Sequence, residues 1–240
     1  MNVFLLSYSQ SDLFGKAIFF ALFFLSVVCW IVLLEKMIFI RRIYRQSRSF
    51  QRVVEQNRDS LLESDLSQDG DPDFYPYGSI YKNLREKVVE ILDKNRFFLL
   101  EESGTPAYLT PTDVSLLEGH VATLVTSHQK RLEKNLFILS TIATLAPFMG
   151  LLGTVWGILT TFSGLQQGGA ISSNTLVLGG ISTALVTTVL GLLIAIPALI
   201  AYNYLKNSLH HYSCDMESFL NYLLYHVELR YRKPELVFKG

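Results

Sequence analysis

Residues 135–205 read NLFILSTIATLAPFMGLLGTVWGILTTFSGLQQGGAISSNTLVLGGISTALVTTVLGLLIAIPALIAYNYL, without one Asp, Glu, Lys, Arg or His. A run this long with no charge is suited to a lipid bilayer and not to water. It divides into two apolar segments, Leu136 to Leu165 and Leu176 to Leu205. Between them lie Gln166-Gln167-Gly168-Gly169 and Ser172-Ser173-Asn174, which are polar and rich in turn-forming residues. About 20 helical residues cross a hydrocarbon core of roughly 30 Å, so each segment is long enough to span. The reading is a transmembrane hairpin, with residues 135–165 and 176–205 as spans joined by a loop at 166–175.

Upstream, Ala17 to Leu34 reads AIFFALFFLSVVCWIVLL and supplies a third uncharged run. Only Lys16 is basic before it, whereas Lys36, Arg41, Arg42, Arg45, Arg48 and Arg52 follow it. A cleaved signal peptide has the opposite charge order, so residues 17–34 read as a retained span. The positive-inside rule then puts residues 1–16 outside and residues 35–134 in the cytoplasm. Arg131 and Lys134 before the second span and Lys206 after the third agree, and the 166–175 loop carries no charge. Residues 206–240 accordingly return to the cytoplasm. Trp30 suits an anchor at the inner interface. The predicted fold class is an all-α integral membrane protein with three transmembrane helices, N-terminus out and C-terminus in, and long cytoplasmic helical extensions of the second and third spans.

In the cytoplasmic part, residues 43–66 have a helical pattern and residues 67–78, SQDGDPDFYPYG, an acidic turn-rich one. Ile80, Leu84, Val88 and Ile91 mark one face of a helix from Ser79 to about Leu100. Thr110-Pro111-Thr112-Asp113 is a helix start, with Thr110 as N-cap. Val114, Leu117, Val121, Leu124 and Leu132 continue it, and the spacing predicts a helix running unbroken into the second span. After the third span, Leu209, Tyr212, Met216, Phe219 and Leu223 form a seam at steps of three and four, ending near Arg232 before Pro234. The extensions of the second and third spans are expected to pair antiparallel as a helical body.

With 21 basic and 21 acidic residues the net charge is zero, which gives no general attraction for nucleic acid. Mean hydropathy is +0.29. Cys29 and Cys214, far apart, read as free thiols. His210 and His211 are adjacent and splay apart on a helix, so no metal site is expected. No phosphate loop, zinc spacing or nucleophile motif is present, which argues against an enzyme and against a cofactor.

Ala143, Ala146, Gly150, Gly153 and Gly157 leave one face of the second span nearly bare, and Ala184, Thr188, Gly191 and Ala195 do so in the third. In lipid, helices associate through such packing, and more small surface exists than three spans can satisfy. A homo-oligomer follows as an expectation. Thr144, Thr154, Thr160, Thr161, Thr183, Thr187 and Thr188 carry hydroxyls into the spans. Such hydroxyls commonly bond the carbonyl about four residues back, and a pore-lining role is the alternative. Pro147 and Pro197 read as kinks or loosened backbone, with a functional hinge as the alternative. Because proton movement through a membrane needs a titratable group, either this chain moves no protons or a partner brings the carboxylate.

The segments APFMGLLGTVWGILTTF (residues 146–162) and GISTALVTTVLGLLIAIPALIAYN (residues 180–203) resemble the signature spans of the MotA/TolQ/ExbB family, on its TolQ/ExbB side. The resemblance implies a proton-driven motor subunit of a bacterial inner membrane. It implies a homopentamer around a smaller single-span TolR/ExbD-like partner, whose membrane aspartate takes up and releases the proton. A TolA/TonB-like protein outside the ring would carry the work to the outer membrane, docking at the first span. Thr154 in GTVWG and Thr188 in TTVLG match pore-facing threonines of the family. Where the family commonly carries a glutamate in a GIAEAL-type segment, this chain has Thr183, which leaves the protonation chemistry to the partner. Thr183 and Thr188 lie about 140° apart on a helix and need not face one cavity. The competing expectation is a passive membrane scaffold organising an envelope complex without proton conduction.

Overall fold

The computed structural model describes residues 8, 9, 11–57, 75–98, 108–167 and 173–232. Five helices account for most of them: α1 (Leu13–Gln56), α2 (Pro76–Phe98), α3 (Pro111–Glu133), α4 (Leu136–Gln167) and α5 (Ser173–Tyr231). Among the described residues there is no strand, only an isolated parallel bridge between Leu109 and Arg232. Helices α1, α4 and α5 are long and apolar enough to cross a membrane. Residues 58–66 of the first cytoplasmic helical pattern, the acidic segment at 67–74, residues 168–172 of the loop and Pro234 lie outside the described residues.

Helix α1 is one element of 44 residues that includes both the first apolar run and the arginine-rich stretch after it. Nothing between Ala17 and Gln56 is glycine or proline, so nothing stops it. It begins at Asp12, whose carboxylate accepts the Gly15 N–H at 2.8 Å in the manner of an N-cap. Helix α5 is likewise continuous over 59 residues, from the third span to Tyr231.

The expectation of an unbroken helix from residue 111 into the second span is corrected. Helix α3 stops at Glu133, and Asn135 takes a left-handed conformation with φ 68° before α4 starts. The Lys134 N–H turns back to the Arg131 carbonyl at 3.2 Å. Asparagine after a helix C-cap is, next to glycine, the residue that best tolerates this geometry.

The chain packs as two units, residues 1–37 with 135–206 and residues 38–134 with 207–240. In the first, Ile18 and Leu22 of α1 are buried with Ala146 of α4 and Ala195 of α5, and Leu25, Met149, Leu190 and Ile194 pack around them. Phe20, Phe23, Phe24 and Ile31 of α1 remain exposed, as do Phe148, Val155 and Leu159 of α4 and Leu192, Leu193 and Ile196 of α5. Large apolar side chains facing outward are what a lipid-facing surface requires.

In the second unit the core is built from the faces the heptad-like spacing picks out. Ile80, Leu84 and Val88 of α2 are buried, as are Leu117, Val121 and Leu132 of α3 and Leu209, Tyr212, Met216, Phe219 and Leu223 of α5. Val114, Leu124 and Ile91 are only half-buried. Val125 and His128 fill the α3 face instead, and the His128 ring lies 3.3 Å from the Ser79 hydroxyl. Helix α3 runs antiparallel to the end of α5, since the Leu109 N–H donates to the Tyr231 carbonyl at 2.7 Å while Ser213 donates to Gln129 at 3.0 Å. Tyr77 stacks on Phe219 at 4.4 Å, and the Tyr212 hydroxyl lies 2.6 Å from that of Ser47. Burial pushes the Tyr212 phenol well above the usual range.

The start of α3 is a full capping box. The Thr110 hydroxyl accepts the Asp113 N–H, and the Asp113 carboxylate accepts the Thr110 N–H at 2.9 Å and the Asn95 amide at 2.9 Å. Burial pushes the Asp113 carboxyl up, but the Thr110 N–H and hydroxyl and the Asn95 amide outweigh it and hold it below the ordinary range. A carboxylate with a lowered pKa stabilises the fold above its unfolded pKa and loses that contribution as pH falls through the folded value. Asp113→Ala is therefore expected to cost about 1 kcal/mol at neutral pH. Chemical denaturation should show that cost shrinking as the pH is taken below about 4.

Candidate functional site

The hairpin of α4 and α5 closes backbone against backbone. A methyl group built on Gly150 would meet the Thr187 carbonyl oxygen and the Thr188 Cα, each at 2.9 Å. On Gly153 it would meet the Thr187 side chain, on Gly157 the Ala184 Cβ at 2.8 Å, and on Gly180 the Thr161 side chain. On Gly191 it would meet the Ala146 carbonyl oxygen, and the Gly150 Cα at 3.2 Å. Pairing residues 157 with 184, 150 with 188 and 146 with 191 makes the two helices antiparallel. Ala184 and Ala195 are buried on the same arm. Pro147 and Pro197 both lie inside unbroken helices.

The threonines divide by what their hydroxyls bond. Thr144 donates to Ser140 and Thr141, Thr160 to Trp156 and Gly157, and Thr161 to Gly157 at 2.6 Å. Thr154 donates to the Leu151 carbonyl at 2.7 Å and Thr183 to that of Gly179 at 2.9 Å. All of these stay within their own helix, as mid-helix threonines often do. Thr187 and Thr188 cross the hairpin, and both donate to the Gly150 carbonyl, at 3.2 and 3.1 Å. Thr187 also reaches the Ala184 carbonyl at 2.6 Å and is buried at 3 % exposure, whereas Thr154, Thr183 and Thr188 are only half-buried.

The structure thus brings Thr188 onto Gly150 but joins neither Thr154 nor Thr183 to it by a hydrogen bond. Thr187 is the crossing residue that the sequence could not single out from its neighbour. A back-bonded hydroxyl is weakly held and can turn to another acceptor. Thr154 and Thr183 can therefore donate to an incoming carboxylate or an ordered water while remaining in their helices.

Among the described residues, the Asp12 carboxylate reaches the hairpin from outside the spans. Asp12 accepts the Trp156 indole N–H at 2.8 Å, and the Phe14 ring lies 4.3 Å from the Trp156 ring. The same carboxylate caps α1, so a single residue ties the start of α1 to GTVWG in α4. Its only sequence signal is a helix-capping one, Ser11-Asp12 ahead of the apolar run. Elsewhere Cys29 is buried and Cys214 exposed, and neither forms a disulfide. His210 and His211 are exposed, with ring centroids 6.3 Å apart.

Residues 100–218, which include both spans of the hairpin, match the model of the MotA/TolQ/ExbB proton channel family. The chain belongs to this family. Over 216 residues it is 28 % identical to the biopolymer transport protein ExbB of Neisseria meningitidis, covering 90 % of this chain and 92 % of that one. Similarity to the ExbB protein of Aquifex aeolicus is higher but shorter, 41 % over 90 residues, covering 38 % of this chain and 60 % of the relative. The Tol-Pal system protein TolQ of Pseudomonas aeruginosa is 43 % identical over 81 residues, about a third of either chain. ExbB and TolQ are thus both among the relatives of this multi-pass membrane protein, which supports a proton-channel family role in Tol- or Ton-type energy transduction.

Proposed function

We propose that this chain is the ring-forming subunit of a proton-driven motor in a bacterial inner membrane. Its N-terminus lies outside and its C-terminus in the cytoplasm. Five copies surround a smaller TolR/ExbD-like single-span partner, and a TolA/TonB-like protein docks outside the ring to transmit the work to the outer membrane. The observation that carries the reading is the hairpin itself, which bears threonine hydroxyls but no titratable group in either span.

Hydroxyls orient a proton carrier but cannot be one at neutral pH, so the carboxylate comes from the partner helix. With Thr183 in place of a ring glutamate, the partner's carboxylate does the protonation chemistry alone. Thr154 and Thr188 face it, and Thr183 flanks it. Each proton moving down the field yields about 2.3 kcal/mol per 100 mV, which drives motion of the partner relative to the ring. No bond of a substrate is made or broken, so the subunit is not an enzyme and carries no cofactor.

A second reading, a passive scaffold, is favoured by one observation. Thr154, Thr183, Thr187 and Thr188 already have backbone acceptors within the single chain. The two readings part on assembly. Co-expressed with its small partner and extracted in mild detergent, the chain is expected to give a native mass of five copies plus partner. A monomer or dimer that persists with the partner present would remove the pentameric pore and leave the scaffold.

A further inference from the structure

Beyond the apolar run of α1, residues 41–52 read RRIYRQSRSFQR, which holds five of the chain's eleven arginines and no lysine or carboxylate. Arg41, Arg45, Arg48 and Arg52 follow at steps of four, three and four and so share about 60° of the helix surface. Ile43, Ser47, Phe50 and Val54, on the opposite side, are buried. All four arginines are exposed. None pairs with a carboxylate among the described residues, although Lys87 pairs with Glu90 and Arg232 with Glu228. Holding a span in orientation needs only positive charge, for which lysine serves as well. A row of exposed guanidinium forks is the arrangement that takes phosphate oxygens two at a time.

Distance along the helix selects the occupant. Counted from Leu34 at the end of the uncharged run, Arg41 lies about 10 Å further on, Arg45 about 16 Å and Arg52 about 27 Å. The polar layer of a bilayer is only about 5–8 Å thick on each side. Arginine side chains snorkel back toward it, and charge is felt for roughly 8 Å beyond it at physiological salt.

We propose that Arg41 and Arg45 hold the phosphate of an anionic phospholipid headgroup in the leaflet where α1 leaves the membrane. Arg48 contributes weakly and Arg52 not at all. An acidic protein segment lying along the helix would instead use all four. The proposal needs only the membrane-spanning α1 and is independent of ring number and proton movement.

The test uses the full-length protein, delipidated in neutral detergent and titrated with phosphatidylglycerol or phosphatidylcholine, with bound lipid counted by native mass spectrometry. Each surface arginine near anionic lipid contributes about fivefold in affinity. Arg41→Gln with Arg45→Gln should therefore lower phosphatidylglycerol retention by tens of fold and leave phosphatidylcholine unchanged. Arg52→Gln, equally exposed, should retain wild-type binding, and circular dichroism should be the same for all variants. The proposal is overturned if the double variant binds phosphatidylglycerol normally, if both lipids fall together, or if Arg52→Gln loses as much as Arg45→Gln. The last result would show that distance from the bilayer does not select among the arginines. Displacement of the lipid by an equal concentration of inorganic phosphate would also overturn it, as a free-anion site.

Discussion

Gly150→Val is expected to abolish the folded hairpin and with it any assembly. The new side chain begins 2.9 Å from the backbone of Thr187 and Thr188, which cannot rotate away as a side chain could. The helices must separate, and separation also breaks the two hydrogen bonds that Thr187 and Thr188 donate to the Gly150 carbonyl. Overpacking costs about 1–3 kcal/mol, and interhelical hydrogen bonds in membranes add about 0.6–1.7 kcal/mol each. The total, about 2–6 kcal/mol, is a large part of the stability of an ordinary domain. Gly164→Val is the control, because nothing lies within 4 Å of a methyl group at that exposed position. Thermal unfolding in detergent with size-exclusion chromatography should show loss of the assembled species for the first variant and its retention for the second.

Thr154→Val and Thr188→Val should behave in the opposite way, sparing assembly and removing energised function. For Thr154 the only bond lost is to its own helix, at Leu151. For Thr188 the Gly150 carbonyl keeps Thr187 as a donor. Each change should therefore cost stability by under about 1 kcal/mol. If these hydroxyls orient the partner's carboxylate, proton uptake by proteoliposomes containing both proteins should fall by tenfold or more. Thr188→Ser, which keeps the hydroxyl, should restore most of it. Unchanged uptake in both valine variants would favour the passive scaffold.

Much of this architecture could be read from residue patterns because the membrane punishes exceptions. Two charge-free runs beside Gln166 and Asn174, and a third before a block of arginines, leave no arrangement but apolar helices. The seam from Leu209 to Leu223 and the N-cap at Thr110 were legible too, since each rests on fixed spacing along one helix; the return bond from the Asp113 carboxylate came only with the structure. The break at Asn135 was not legible. A single residue with positive φ needs neither glycine nor proline, and the apolar pattern continues on both sides of it. Nor could sequence separate Thr187 from Thr188. Adjacent residues differ by 100° on a helix, yet both reach Gly150, because glycine leaves the room. The Asp12–Trp156 contact joins residues 144 apart, and no local pattern reports such a pairing. His128 was passed over because polar residues are rarely buried, and the Ser79 hydroxyl beside it makes this one tolerable.

The joint at Asn135 and the continuity of α5 set different limits on changes in length. From Gly191 to Leu209 is eighteen residues, about five full turns of one continuous helix, which ties the close-packed residues of the hairpin to the seam beyond them. A one-residue insertion between them would rotate one set by about 100° relative to the other along the helix. At residues 134 and 135 the backbone has already left the helix, and an added residue would lengthen a turn without rephasing either neighbour. Insertions and deletions accumulated over evolution should therefore collect at the junction of α3 and α4 and be excluded from the middle of α5.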